Sequence, residues 1–90
     1  MRQVTLKEIQ RIIGNVIGDT DLAGELQTSS ALLGAIPELD SMAVVNLMLG
    51  LEETYGFHVD DSEVEVEIFE TVGSLGAFAQ AKLNAMGPDS

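Results

Sequence analysis

Residues 40–56 read DSMAVVNLMLGLEETYG, and the way this stretch folds decides how the rest of the chain must pack around it. Asp40 is a favourable N-cap, because its carboxylate can accept a hydrogen bond from an amide of the first turn that has no partner inside the helix. The run that follows predicts a helix over 41–56, about four turns long. Val44, Leu47, Met48, Leu51 and Tyr55 recur at helical steps and form one apolar stripe. At about 100° per residue, Met42, Val45 and Leu49 fall on roughly the opposite side. A helix apolar on two sides is either buried all round or binds something. Full burial is hard in a chain of 90 residues. The second side is therefore expected to meet a partner or ligand, the alternative being a loop folded over it.

Working outward from this helix, Thr5-Leu6-Lys7-Glu8 has the form of a capping box, and Leu6, Ile9, Ile13, Val16 and Ile17 continue as one apolar stripe. A first helix over 5–17 follows, ending near Gly18. Residues 18–39 contain Gly18, Gly24, Gly34, Pro37 and the polar run Gln27-Thr28-Ser29-Ser30, with no sustained periodicity. They predict a long loop, anchored by Leu26, Leu32, Leu33 and Ile36. Beyond the central helix, Asp60, Asp61 and Ser62 break the chain, and Ser62-Glu63-Val64-Glu65 offers another capping box for a short helix over 63–69. The alternation of Val64, Val66 and Ile68 also fits a strand, but a lone strand would have no ladder partner elsewhere. Thr71 can cap a last helix over 72–86 that buries Val72, Leu75, Phe78, Ala79 and Leu83, and the tail Gly87-Pro88-Asp89-Ser90 stops it. The expected architecture is one all-α domain spanning 1–90, a bundle of four helices with a long first loop and a short third helix.

Charge narrows the function classes. Fifteen Asp and Glu against four Lys and Arg give a net charge of -11, which repels phosphate backbones and anionic lipid headgroups and attracts basic proteins. Three of the cations, Arg2, Lys7 and Arg11, lie near the start, and the only later one is Lys82. No apolar run resembles a signal peptide or a membrane span, so a cytoplasmic protein without membrane insertion is expected. With no cysteine, one histidine and no phosphate-binding glycine loop, the chain is not expected to be an enzyme. His58 reads as a solvated loop residue. Asp19-Thr20-Asp21-Leu22-Ala23-Gly24 looks like the opening of a calcium loop, yet Ala23 at its fifth place and Ser30 at its twelfth supply no ligand, so it reads as a turn with no metal. The acids Asp60, Asp61, Glu63, Glu65, Glu67 and Glu70 read as a solvated face.

Ser41 falls in the first turn of the central helix, where unpaired amides and the positive end of the helix dipole favour an anion. From spacing alone it is an ordinary helix-start residue. The segment LDSMAVVNLMLGLEETYGF at 39–57, however, resembles the Asp-Ser-Leu motif and following helix of acyl carrier proteins, with Met42 in place of the usual Leu. The resemblance continues in EVEVEIFE at 63–70, similar to that family's short third helix, and in TVGSLGAFAQAKL at 71–83, similar to its last. It implies that a phosphopantetheinyl transferase esterifies Ser41 with 4'-phosphopantetheine from coenzyme A, and that the arm's thiol then carries acyl groups as thioesters. It also implies that Asp40 helps position the transferase and its metal ion. Asp40, Met42, Val45 and Leu49, with Glu38 and Glu53, would form the face of a monomer that meets acyl-loading and acyl-consuming enzymes through basic or apolar patches. Ala43 and Asn46 depart from fatty-acid carriers, which commonly place acids there, and LLGAIPELDSMAVV at 32–45 looks like carriers that accompany exosortase and exopolysaccharide gene clusters. Two alternatives stand beside the acyl carrier: an aminoacyl or peptidyl carrier with the same arm, and a non-covalent acidic helical adaptor.

Overall fold

The computed structural model describes residues 3–32, 34–37 and 39–86. Helix α1 spans Leu6–Ile17, and its capping box forms as expected: Glu8 N–H donates to Thr5 Oγ1 at 3.2 Å while Thr5 N–H donates to Glu8 Oε1 at 3.1 Å. Ile9 and Ile13 are buried. So is Ile12, which the apolar stripe read from the sequence omits, whereas Leu6 is exposed and Val16 and Ile17 sit at the margin.

The expected long loop contains a short helix, α2, at Thr20–Gly24. Asp19 caps it by accepting from Leu22 N–H at 3.0 Å, so the first acid of the apparent calcium loop serves as a helix cap. Five residues are too few to show a helical hydrophobic period, which is why α2 leaves no trace in the sequence pattern. Further along, Leu26, Leu32, Ile36 and Leu39 are buried, and Leu33 lies outside the described residues. Gln10 ties this connection to α1 by donating to Leu26 O at 2.7 Å. Three backbone bonds then lace it to the start of the last helix: Leu32 N–H to Glu70 O, Val72 N–H to Ser30 O, and Gly73 N–H to Thr28 O, at 2.9, 3.0 and 2.8 Å. An isolated antiparallel bridge between Ala31 and Thr71 marks their centre.

Helix α3 covers Ser41–Tyr55 and is closed by Gly56 in the left-handed conformation. Its buried row is Ala43, Leu47, Met48, Leu51 and Tyr55. Val44, expected in that row, is only half-buried, because the core meets the i, i+4 row of 43, 47, 51 and 55 and leaves Val44 at its edge. Helices α1 and α3 approach closely at Gly50, where a Cβ would stand 2.9 Å from Ile12 Cγ2.

The expected helix over 63–69 is two 3-10 turns, Asp61–Glu63 and Val66–Phe69. The cap lies upstream of the predicted one. Glu63 Oε2 accepts Asp60 N–H at 2.9 Å, Glu63 N–H donates to Asp60 O, and Glu65 is extended, so no continuous helix can start at Ser62. Helix α4 then runs Val72–Met86, capped reciprocally by Thr71 and Ser74 at 3.0 Å each way. Val72, Leu75, Ala79 and Leu83 join the core and Phe78 packs at its edge.

The described residues thus form an all-α bundle with four α-helices, and among them the strand-like alternation at 64–68 forms no strand. Two aromatic residues, one at the end of α3 and one just past it, extend the core. Tyr55 and Phe57 stack at 5.9 Å, and Lys82 Nζ lies 6.0 Å from the Phe57 ring centre while binding both carboxylate oxygens of Glu63 at 2.9 Å. No helix among the described residues is long and apolar enough to cross a membrane.

Candidate functional site

The amino end of α3 is built by one residue. Asp40 is extended, its Oδ1 accepts Ala43 N–H at 3.0 Å, and its own carbonyl takes Val44 N–H, which starts the helix at Ser41. Ser41 is consequently exposed on the first helical position, beside amides that no helical carbonyl can satisfy. A negatively charged ester there gains from the helix dipole by about 0.3–1 kcal/mol.

From this serine the outer side of α3 carries Met42, Val45 and Leu49, which are 70%, 53% and 49% exposed. The buried row and this one divide the helix as its two-sided apolarity predicts. Asn46 and Glu53 are exposed on the same helix, and Glu38 lies outside the described residues. Ala43 is buried under the cap, so its departure from fatty-acid carriers falls in the core of this fold and only Asn46 changes the exposed face. Sequence reasoning missed Val66, which is 68% exposed across from Ser41. Its signal was present in the Val64, Val66, Ile68 alternation, but Val64 lies between the two 3-10 turns and Val66 opens the second, so both wall the depression beside Ser41 and form no strand face.

Between α3 and the 3-10 turns lie two open depressions. One, of about 500 Å³, starts at Asp40 and Ser41 and is walled by Val44, Val64, Glu65, Val66 and Phe69. The other, of about 420 Å³, is walled by Val44, Val45, Met48, Leu49, Val59 and Val64 and ends at Glu52. Their walls are held by side chains. Glu52 Oε2 accepts Val59 N–H at 2.7 Å, and the largely exposed His58 ring places Nδ1 3.1 Å from that oxygen and Nε2 3.2 Å from Asp60 Oδ1. Glu63 is held below the usual carboxylate range, first by the Asp60 amide and then by Lys82. His58 stands by the carboxyl-terminal half of α3, far from Ser41, so these two do not form a nucleophile and base pair.

Comparison with known proteins gives these residues a context. The chain is 48% identical to a holo acyl carrier protein from Nitrosomonas europaea, whose solution NMR structure matches this fold with a TM-score of 0.81 over 88% of this chain and 95% of that one. This chain belongs to the acyl carrier protein family. No protein-family model matches it. A curated relative, aminoacyl carrier protein 1 of Bradyrhizobium diazoefficiens, is 29% identical over 75 residues, which is 83% of this chain and 81% of the relative. Within this acyl carrier fold, Asp40, Ser41, Met42, Val45, Leu49, Asn46 and Glu53 are carried on one helix, and Val64 and Val66 approach from the 3-10 turns.

Proposed function

We propose that this chain is a carrier and not an enzyme: it holds acyl groups as thioesters on a 4'-phosphopantetheine arm attached to Ser41 and presents them to partner enzymes. The observation that carries this reading is the exposed serine of the Asp40-Ser41-Met42 motif at the first position of α3, in a chain 48% identical to an acyl carrier protein described in its holo form. The arm supplies the thiol that a chain without cysteine lacks. Asp40 caps the helix and fixes the direction of Ser41, and its charge attracts the transferase. Met42, Val45 and Leu49 offer partner enzymes an apolar centre, and Glu53 a charged rim. A face with apolar residues at its centre and Asn46 where fatty-acid carriers commonly have an acid suits a specialised carrier with its own loading enzyme.

A second reading keeps the arm and changes the cargo to an aminoacyl group, as the name of the Bradyrhizobium relative suggests. One experiment tests what both share. Incubation with a phosphopantetheinyl transferase and coenzyme A should add the mass of one phosphopantetheine group to the intact protein, and Ser41→Ala should abolish the addition. A folded protein that stays unmodified with several transferases refutes the proposal and favours the adaptor, and a Ser41→Ala variant that still gains the group refutes Ser41 as its site.

A further inference from the structure

Leu49 stands on the ridge of α3. It walls the depression that faces Val59 and Val64, and it also walls a groove on the other side of the helix, against α1. That groove, of about 330 Å³, takes Ile12, Asn15 and Val16 from α1 and Asn46, Leu49 and Glu53 from α3. Gly50 sets its depth by letting the two helices approach until a Cβ there would stand 2.9 Å from Ile12 Cγ2. The exposed apolar row of Met42, Val45 and Leu49 therefore continues into an apolar cleft, and exposed Asn15 and Asn46 put uncharged amides on its two sides.

Charge indicates what can lie there. Residues 1–17 hold three cations and one acid, a net of +2, whereas residues 18–90 hold one cation and fourteen acids, a net of −13. Lys7, Arg11 and Asn15 are exposed and follow one another at four-residue steps, which makes a single row on α1 beside the groove. Among the described residues the ion pairs are those of His58 and Lys82, so Lys7 and Arg11 are unpaired, and Asp21 and Glu25 in and after α2 bind neither. Glu8, the one acid of α1, has Oε1 committed to Thr5 N–H and Tyr55 O–H. At physiological salt charges more than about 8 Å apart are largely screened, so the two cations govern what settles on them whatever the net charge of the chain. A basic segment meets like charges along this edge, and an acidic one meets two free cations.

We propose that the groove between α1 and α3 is a docking surface for a segment of a partner protein, apolar where it enters the groove and acidic where it lies along Lys7 and Arg11. Its apolar side chains gain burial on Ile12, Val16 and Leu49, and its polar groups find hydrogen bonds at Asn15 and Asn46. The cations also fix its orientation, because the same acids turned toward α3 would face Glu53. A second copy offering its own acids would make a head-to-tail contact that leaves both surfaces open to further copies, and a chain of net charge −11 resists such growth. The surface needs no arm on Ser41, so it goes beyond the carrier reading and is tested apart from it.

The probe is a synthetic amphipathic helical peptide with a row of leucines flanked on one side by glutamates, compared with the same peptide carrying lysines at those positions. Each is titrated at about 0.15 M salt, where only nearby charges act, into the full chain with Ser41 unmodified. NMR follows the side-chain amides of Asn15 and Asn46 and the methyl groups of Val16 and Leu49. The glutamate peptide should saturate these signals at lower concentration than the lysine peptide. Lys7→Gln and Arg11→Gln should each weaken it by about 1.5- to 5-fold, the range for an exposed ion pair. A lysine peptide that saturates the signals first, a glutamate peptide that leaves them unmoved, or one bound equally well by the double glutamine variant overturns the proposal. Signals that move on dilution of the protein alone assign the groove to a second copy, and signals that move with phosphatidylglycerol vesicles but not with the glutamate peptide assign it to a membrane; either overturns the choice of a partner protein. Loading of Ser41, read by mass in a separate sample, decides the carrier reading and does not enter this titration.

Discussion

Asp40 is assigned two tasks, starting α3 and attracting the transferase, and a pair of substitutions separates them. Asp40→Ala removes the oxygen that accepts Ala43 N–H at 3.0 Å and leaves that amide without a protein partner. Loss of an N-cap costs about 1 kcal/mol, and loss of a negative charge from the positive end of the helix adds about 0.3–1 kcal/mol. The sum is about 1–2 kcal/mol, which in a domain of this size lowers Tm by roughly 4–16 °C. Asp40→Asn keeps a capping oxygen and forgoes only the charge term, at most about 1 kcal/mol. Thermal denaturation should therefore rank parent, Asn and Ala in that order of falling stability. Modification should rank differently. If the charge attracts the transferase, intact-mass time courses will show both variants modified slowly and to similar degrees, although only Ala loses the cap. An alanine variant as stable as the parent refutes the capping argument, and an asparagine variant modified at the parent rate refutes the role of the charge.

Two further outcomes test the frame that holds the site. Gly73→Ala should destabilise the fold by about 1–2 kcal/mol, because overpacking costs more than alanine's better helix propensity returns. Its Cβ would stand 2.6 Å from Thr28 Cγ2 and 3.0 Å from Thr28 O, the carbonyl that Gly73 N–H binds. Urea denaturation together with faster amide exchange at Leu32 and Val72 checks this, and unchanged exchange would contradict the lacing of the loop to α4. Glu63 makes a pH-dependent contribution: its folded pKa lies below the ordinary value of about 4.3, so the stabilisation is complete above that value and is lost as pH falls through the folded one. Melting curves between about pH 6 and pH 3 should fall less steeply for Glu63→Gln than for the parent, and identical slopes would show that Lys82 and the Asp60 amide do not hold that carboxylate.

The long helices were legible because each repeats a helical pattern over several turns and begins on a cap the chain spells out, Thr5, Asp40 and Thr71. The exposed apolar row was legible for the same reason: Met42, Val45 and Leu49 can be placed by angle alone once Asp40 sets the start. What escaped was decided by contacts distant in sequence. Helix α2 is too short for periodicity, and it exists because Asp19 caps it and Ala23 packs into α1. The 3-10 turns follow from Glu63 bonding back to Asp60 and forward to Lys82, nineteen residues away, a choice that no local window contains. The depressions between α3 and those turns depend on them too, so their second wall could not be read before the turns were placed.

This division has an energetic consequence for the site. One wall of those depressions is α3, whose inner row is part of a continuous core with α1 and α4 and cannot move without opening cavities. The other wall, from Val59 to Val66, has no ladder to a neighbouring segment; it is held by the Glu52 bond to Val59, the Asp60 and Glu63 cap, and the Lys82 pair. Such contacts near the surface are weak and exchange readily with water. Opening that wall therefore costs a small part of the total stability, while Ser41 stays fixed on the helix that is hardest to move. Reinforcing Glu63 or Lys82 would stiffen that wall, and disturbing Leu47 or Leu51 would unfold the platform that carries the serine.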